Sequence, residues 1–285
     1  MLVALCCIWG VTWPIMKIAL NEMPPLSMRT ASAGLGTITL VVLCLFMRRS
    51  FWLPSRKALA HVVVASLLNI VAFSLFSAFA QRIAATNRVA ILAYTLPIWS
   101  LLLSWPILGE RPNRIQALAL ALCAAGLAIL IYPLAANGIP LGIMLALAIG
   151  VCWAAGTVYL KWAQIKADPL GVTSWQMTIA FVVIAAATAL FDGRLDYGSA
   201  HLDGVSAVLW TGVFGNGLAY PLWFLAMRRL PAVAASLSVL SVPVIGIVSS
   251  LAILGEVPTS ADLVGFALIL SASGCVLLTR QTVKA

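Results

Sequence analysis

Apolar runs of about twenty residues, laid end to end and parted by short polar turns, constrain this chain more than any other feature. A bilayer core is spanned by about 20 apolar residues in a helix. Lipid offers no partner to an unpaired backbone amide, so each run is expected to be a transmembrane helix. Ten spans are expected, over residues 2–20, 27–47, 58–79, 86–108, 114–132, 141–162, 170–191, 204–226, 232–254 and 261–279. The connections carry turn residues or charge, as in Asn21-Glu22-Met23-Pro24-Pro25 and Asn137-Gly138-Ile139-Pro140. Only 9% of the 285 residues are charged, against roughly 25% in an ordinary globular chain, which argues against a water-soluble domain. The alternating pattern of an outer-membrane barrel is absent. The first run begins at Leu2 with no basic stretch ahead of it, so it is read as a span and not as a cleavable leader.

The chain also repeats itself. Trp9-Gly10-Val11-Thr12-Trp13-Pro14-Ile15-Met16-Lys17 has a degenerate echo at 153–161, which places Trp153 and Lys161 at an offset of 144 from Trp9 and Lys17. Pro97, Leu108-Gly109-Glu110 and Pro112 recur as Pro243, Leu254-Gly255-Glu256 and Pro258, at an offset of 146. The halves are therefore 1–135 and 141–285, with five spans in each. An odd number of crossings makes the second copy enter the membrane from the opposite side. The expected fold is an all-α polytopic membrane protein of ten transmembrane helices arranged as two inverted five-helix repeats, an arrangement that supports alternating access. With both termini in the cytoplasm, twelve of the 17 Lys and Arg residues fall on inner segments, so that orientation is expected. The net charge of +9 is spread along the span flanks and forms no patch, so topology explains it and nucleic acid is not an expected partner.

The duplicated Pro…Leu-Gly-Glu segments and the Trp9-Gly10-Val11-Thr12-Trp13 start resemble the drug/metabolite transporter superfamily over nearly the whole chain. The closer similarity is to its EamA-type members, and within them to bacterial amino-acid exporters of the YddG type. The resemblance implies a multi-pass transporter of the bacterial inner membrane, with a central cavity lined by spans 1, 3, 4, 6, 8 and 9.

Three spans gather polar and aromatic side chains on one helical face. Asn69, Phe73, Phe76 and Ser77 follow i, i+4, i+7, i+8 on the third. Asn216, Tyr220 and Trp223 follow i, i+4, i+7 on the eighth, and Trp9, Thr12, Trp13 and Met16 share a face of the first. Tyr94 and Trp99 on the fourth span and Trp153 on the sixth complete the candidate substrate-binding set: Trp9, Trp13, Asn69, Phe73, Ser77, Tyr94, Trp99, Trp153, Asn216, Tyr220 and Trp223. An Asn at membrane depth must find a partner and so points inward. Interhelical bonding and a wet cavity are both open to it.

Lys17 and Lys161 either meet a substrate carboxylate or snorkel to the interface, and Arg29, with Glu22 as partner, reads the same way. Pro97 and Pro243 lie mid-span and are hinge candidates or simple bends. Gly109 and Gly255 are expected to end helices, with Asn113…Gln116 and Thr259…Asp262 capping the next ones. Gly142, Ala146, Gly150 and Ala154 form a small-residue stripe for close helix packing.

The eight acidic residues fall in loops or at span ends, and the six cysteines lie inside apolar runs with no metal-ligand spacing. No cofactor, metal or reactive constellation is expected, and so no enzyme. The expected function is export of small amphipathic metabolites, amino acids including aromatic ones, by alternating access and facilitated diffusion. Export of nucleobases, nucleosides or neutral drugs is the alternative. The expected partners are a small-molecule substrate and membrane lipids, and the expected state is a monomer.

Overall fold

The computed structural model describes residues 1–135, 141–198, 200–230, 239 and 241–278, and among these the regular structure is entirely helical. Helix α1 (Leu2–Glu22) buries Leu5, Trp9, Trp13, Met16 and Leu20, recurring every three or four residues as a single helical face requires. A Pro24-Pro25 turn leads into α2 (Pro25–Phe46), with Pro25 in its first turn, where a missing N–H leaves no bond unmade.

The next helical path is interrupted. Helix α3 (Arg56–Ser66), capped by the Ser55 hydroxyl, passes through a π-helical turn at Leu67–Val71 into α4 (Ala72–Ile83). The same device recurs later: α10 (Leu202–Trp210) runs through a π-helical stretch at Thr211–Leu218 into α11 (Ala219–Arg229). Between them lie α5 (Thr86–Ala93), α6 (Leu96–Leu108), α7 (Arg114–Ala135), α8 (Leu141–Ala163) and α9 (Pro169–Phe191), and the last described helices are α12 (Ser241–Leu254) and α13 (Ser260–Leu278). Residues 232–238 and 240 of the ninth expected span and residue 279 of the tenth lie outside the described residues.

Breaks and ends follow the local sequence. Pro97 cannot donate to the Ala93 carbonyl, and here one apolar run becomes two helices joined at Tyr94-Thr95. Gly109 and Gly255 stand in left-handed conformation (φ 70° and 69°) just past α6 and α12, where a Cβ would be strained. Asn113 and Gln116 cap α7 reciprocally: each backbone N–H donates to the other's side chain, at 3.1 and 2.8 Å. The side chain of Asp262, expected to do the same for α13, lies outside the described residues.

Among the described residues, six stretches are long and apolar enough to cross a membrane: Leu2–Glu22, Pro25–Phe46, Arg56–Ile83, Thr86–Leu108, Leu141–Ala163 and Pro169–Phe191. Shorter apolar helices accompany them. Large apolar side chains such as Phe46, Leu190, Phe191 and Leu202 face outward, as expected where lipid rather than water is the solvent. The protein is an all-helical, polytopic membrane protein.

Helix α8 packs against α3, α4, α5 and α6, while α1 packs against α10, α11 and α12. Helix α2 lies on α9, and α7 pairs with α13 around a small separate core of Ile91, Ala119, Leu120, Cys123 and Leu127. The α8 stripe acts at these contacts. A Cβ on Gly150 would fall 2.3 Å from Thr95 Oγ1, and one on Gly142 would fall 2.9 Å from the Ala84 methyl.

Candidate functional site

The two central helices, α1 and α8, bring their tryptophans together. Trp9 and Trp153 meet edge to face with ring centroids 5.2 Å apart. Trp153 also meets Phe73 at 5.2 Å, Trp223 at 5.6 Å and Tyr94 at 6.0 Å, so its ring joins four helical segments. Tyr220 adds a contact to Trp9 at 5.7 Å, and Trp13 packs on Phe73 at 5.9 Å. All these rings except Phe73 are buried.

Beside the cluster is a small cavity of about 30 Å³, room for a water or two. Trp9, Trp13, Phe73, Tyr94, Asn216 and Tyr220 line it, together with Thr12, Met16, Thr211, Gly215 and Arg29. The π-helical stretch takes part directly: the Trp9 indole N–H donates to Gly215 O at 3.1 Å, a carbonyl inside that stretch.

Six of the eleven candidate residues thus share one cavity wall. Trp153 and Trp223 stand behind Trp9 in the ring cluster, each with an indole N–H that has no partner. Ser77 does not line the cavity; its hydroxyl accepts from Arg29 and donates to Phe73 O at 2.5 Å. Trp99 is half-buried and donates its N–H to Thr95 Oγ1 at 3.1 Å. Asn69 is fully buried but turned to α8, with Thr157 Oγ1 3.5 Å from its side-chain oxygen and Gly156 leaving room beside it. Asn216 lines the cavity and is itself tied to a neighbour, donating from Nδ2 to Ser32 O at 3.1 Å.

Of the two roles open to Arg29, the structure speaks against snorkelling. Arg29 is 2% exposed, faces the cavity and hydrogen-bonds Ser77, so it does not snorkel. Nor is Glu22 its partner: that carboxylate accepts from the His201 N–H at 2.8 Å. The sequence clue was weak, because Arg29 sits near a span end, where snorkelling is the common outcome.

The two repeated lysines each tie off a helix C-terminus, where exposed carbonyls attract a cation. Lys17 Nζ donates to Gln81 O at 2.5 Å, in the last turn of α4. Lys161 Nζ donates to Leu230 O at 2.7 Å, just past α11, and pairs with Glu110 at 3.0 Å. Glu256, the repeat counterpart of Glu110, lies within electrostatic reach of Lys17 but accepts instead from the Asn87 N–H at 3.2 Å. Near the Lys161 end opens a second cavity of about 460 Å³, whose lining includes Lys161, Lys166, Arg228, Phe224 and Met227. Phe224 stacks on Tyr220 at 6.1 Å, and Tyr220 lines the small central cavity.

Residues 1–132 and 140–279 match the model of the EamA-like transporter family. The chain belongs to that family. A similar relative of this EamA chain is the uncharacterized transporter YvbV of Bacillus subtilis, 27% identical over 99% of this chain and 91% of that protein. Protein PA1977 of Pseudomonas aeruginosa is 31% identical over 83% of this chain and 80% of its own length. A protein of Salmonella typhimurium named a "probable amino-acid metabolite efflux pump" is 25% identical, over 93% of this chain and 89% of its own. A solved crystal structure superposes with a TM-score of 0.72 at 18% identity, covering 98% of this chain and 99% of that one, which shows the shared fold. The protein is a membrane transporter of the EamA family, and its relatives include inner-membrane transporters.

Proposed function

We propose that this transporter exports small amphipathic metabolites, amino acids with aromatic side chains among them, by alternating access and without a driving proton. The observation that carries the reading is the aromatic-walled central cavity. It draws Trp9, Trp13, Phe73 and Tyr94 from the first half and Asn216 and Tyr220 from the second. Rings meeting edge to face present both apolar walls and π faces, which suit an apolar side chain and an ammonium group. The name of the Salmonella relative is in keeping with an amino-acid cargo.

The inverted repeat is the second part of the reading. Helix α1 stands to α12 as α8 stands to α6, and α1 stands to the α10–α11 path as α8 stands to the α3–α4 path. Both of those paths carry a π-helical segment around an Asn. With ten spans and both termini in the cytoplasm, Lys161 with Glu110 closes the inner end, and Lys17 with Glu256 is the matching outer pair. One pair is engaged here and the other is not. Exchange of that asymmetry between the two ends is the alternating-access step.

Among the described residues, no carboxylate or histidine lines the central cavity, which favours downhill exchange over proton coupling. Counterflow in proteoliposomes across a metabolite panel tests this. Labelled phenylalanine should exchange with no pH gradient, and a strict requirement for an imposed gradient would refute the uncoupled mechanism. Preferential exchange of nucleosides or neutral drugs would instead move the cargo to the other class. The inner latch has its own test. Lys161→Ala and Glu110→Gln should each change the counterflow rate by about three- to tenfold, and the double variant should do no more than either one. Additive effects would mean the pair does not act as a unit.

A further inference from the structure

The Arg29 guanidinium is a buried positive charge in the wall of a cavity whose other described lining residues are uncharged, with aromatic rings among them. Buried cations in proteins are normally matched by an anion. Among the described residues the ion pairs are Arg49–Asp168 and Lys161–Glu110, and Arg29 belongs to neither. Its one side-chain hydrogen bond goes to a neutral group, the Ser77 hydroxyl, and its Nε–H has no acceptor. The Ser77 hydroxyl is oriented in turn by its bond to Phe73 O, so the guanidinium is held through Nη2 while its Nε–H stays unused.

We propose that Arg29 is the anion subsite of this transport cavity, reading the carboxylate of the cargo, so that the cargo class is amphipathic acids and zwitterions and excludes amines lacking an acid group. The inference rests on the transport reading above and narrows it. A planar guanidinium with two adjacent N–H donors matches a carboxylate in two parallel charge-assisted bonds, which fixes orientation as well as charge. The aromatic walls then receive the apolar side chain. The charge of the second cavity, near Lys161, is in keeping with an anionic cargo. Among the described residues its lining carries Lys166 and Arg228 and no acidic side chain, Lys161 being paired with Glu110, and unpaired cations there draw anions to that side of the protein.

The test uses three probes of one shape: phenylalanine, 3-phenylpropionate and phenethylamine. They compete for labelled phenylalanine counterflow in proteoliposomes, and their binding is followed by tryptophan fluorescence in nanodiscs. In the wild type, 3-phenylpropionate should compete at least about tenfold better than phenethylamine, the scale of one charge-assisted contact. Arg29→Gln should weaken phenylalanine by about tenfold or more and abolish the acid-over-amine preference, and Arg29→Lys should restore part of it. A role confined to holding α2 against α4 would lower all three probes together and keep their ratio.

Phenethylamine matching 3-phenylpropionate in the wild type would overturn the assignment while phenylalanine exchange left the transport reading standing. Because that comparison uses the wild type alone, it decides the matter even if Arg29→Gln does not fold. Failure of all three probes to exchange or to change the fluorescence would overturn both readings.

Discussion

Trp153→Ala is expected to abolish counterflow and to lower the melting temperature in detergent clearly below that of the wild type. Trp153 is 1% exposed and touches Trp9, Phe73, Tyr94 and Trp223, so its ring is the common contact of segments from both halves. In lipid the loss is one of packing, because tails are as apolar as the core and dispersion carries the contact. Buried Trp→Ala changes remove about 3–5 kcal/mol in soluble cores, and the lower end is expected here. Trp153→Phe keeps an aromatic edge for these neighbours and should recover most of the stability. Full transport by Trp153→Ala would show that the cluster is not part of the pathway.

Gly150→Val should have the next largest effect, through the backbone. A Cβ at Gly150 would meet Thr95 Oγ1 at 2.3 Å, Ala93 O at 3.1 Å and Leu96 N at 3.4 Å, all in the break between α5 and α6. Two of these atoms are main chain and cannot swing aside, so α8 must move off the break. Overpacking of this kind costs about 1–3 kcal/mol or more, and the break also places Tyr94 at the cavity. Gly246→Ala is the control, because its nearest neighbours lie at 3.6 and 3.8 Å, ordinary contact distances. Equal melting temperatures for Gly150→Val and Gly246→Ala would remove the close-packing account of the α8 stripe.

Much of the local structure was legible in the chain because it depends on near neighbours. The left-handed Gly109 and Gly255, the reciprocal Asn113–Gln116 cap and the helix break at Pro97 all follow from side chains acting within a few residues. The aromatic faces were legible in part. Trp9 and Trp13 share a wall because α1 is a continuous α-helix there, and 3.6-residue spacing holds.

Asn69 shows where that reasoning stops. It lies inside the π-helical turn, where the regular α-helical ladder is interrupted and α-helical spacing no longer tells which way a side chain points. Its amide accordingly meets Thr157 and Gly156 on α8 while Phe73, beyond the turn, reaches the cavity. Trp99 is separated from Tyr94 by the start of a new helix, so their sequence spacing likewise says little about a common face.

The sequence by itself determined that this chain is helical and lives in lipid, that helices end at Gly109 and Gly255, and which small residues permit close approach. Each of these is set by the bilayer or by neighbours along the chain. Only the tertiary structure decided that Arg29 is a buried charge at a cavity and that Lys17 and Lys161 fasten helix ends. Whether a charge near a span end reaches water or is sealed in depends on which helices pack over it, and hydropathy carries no record of that.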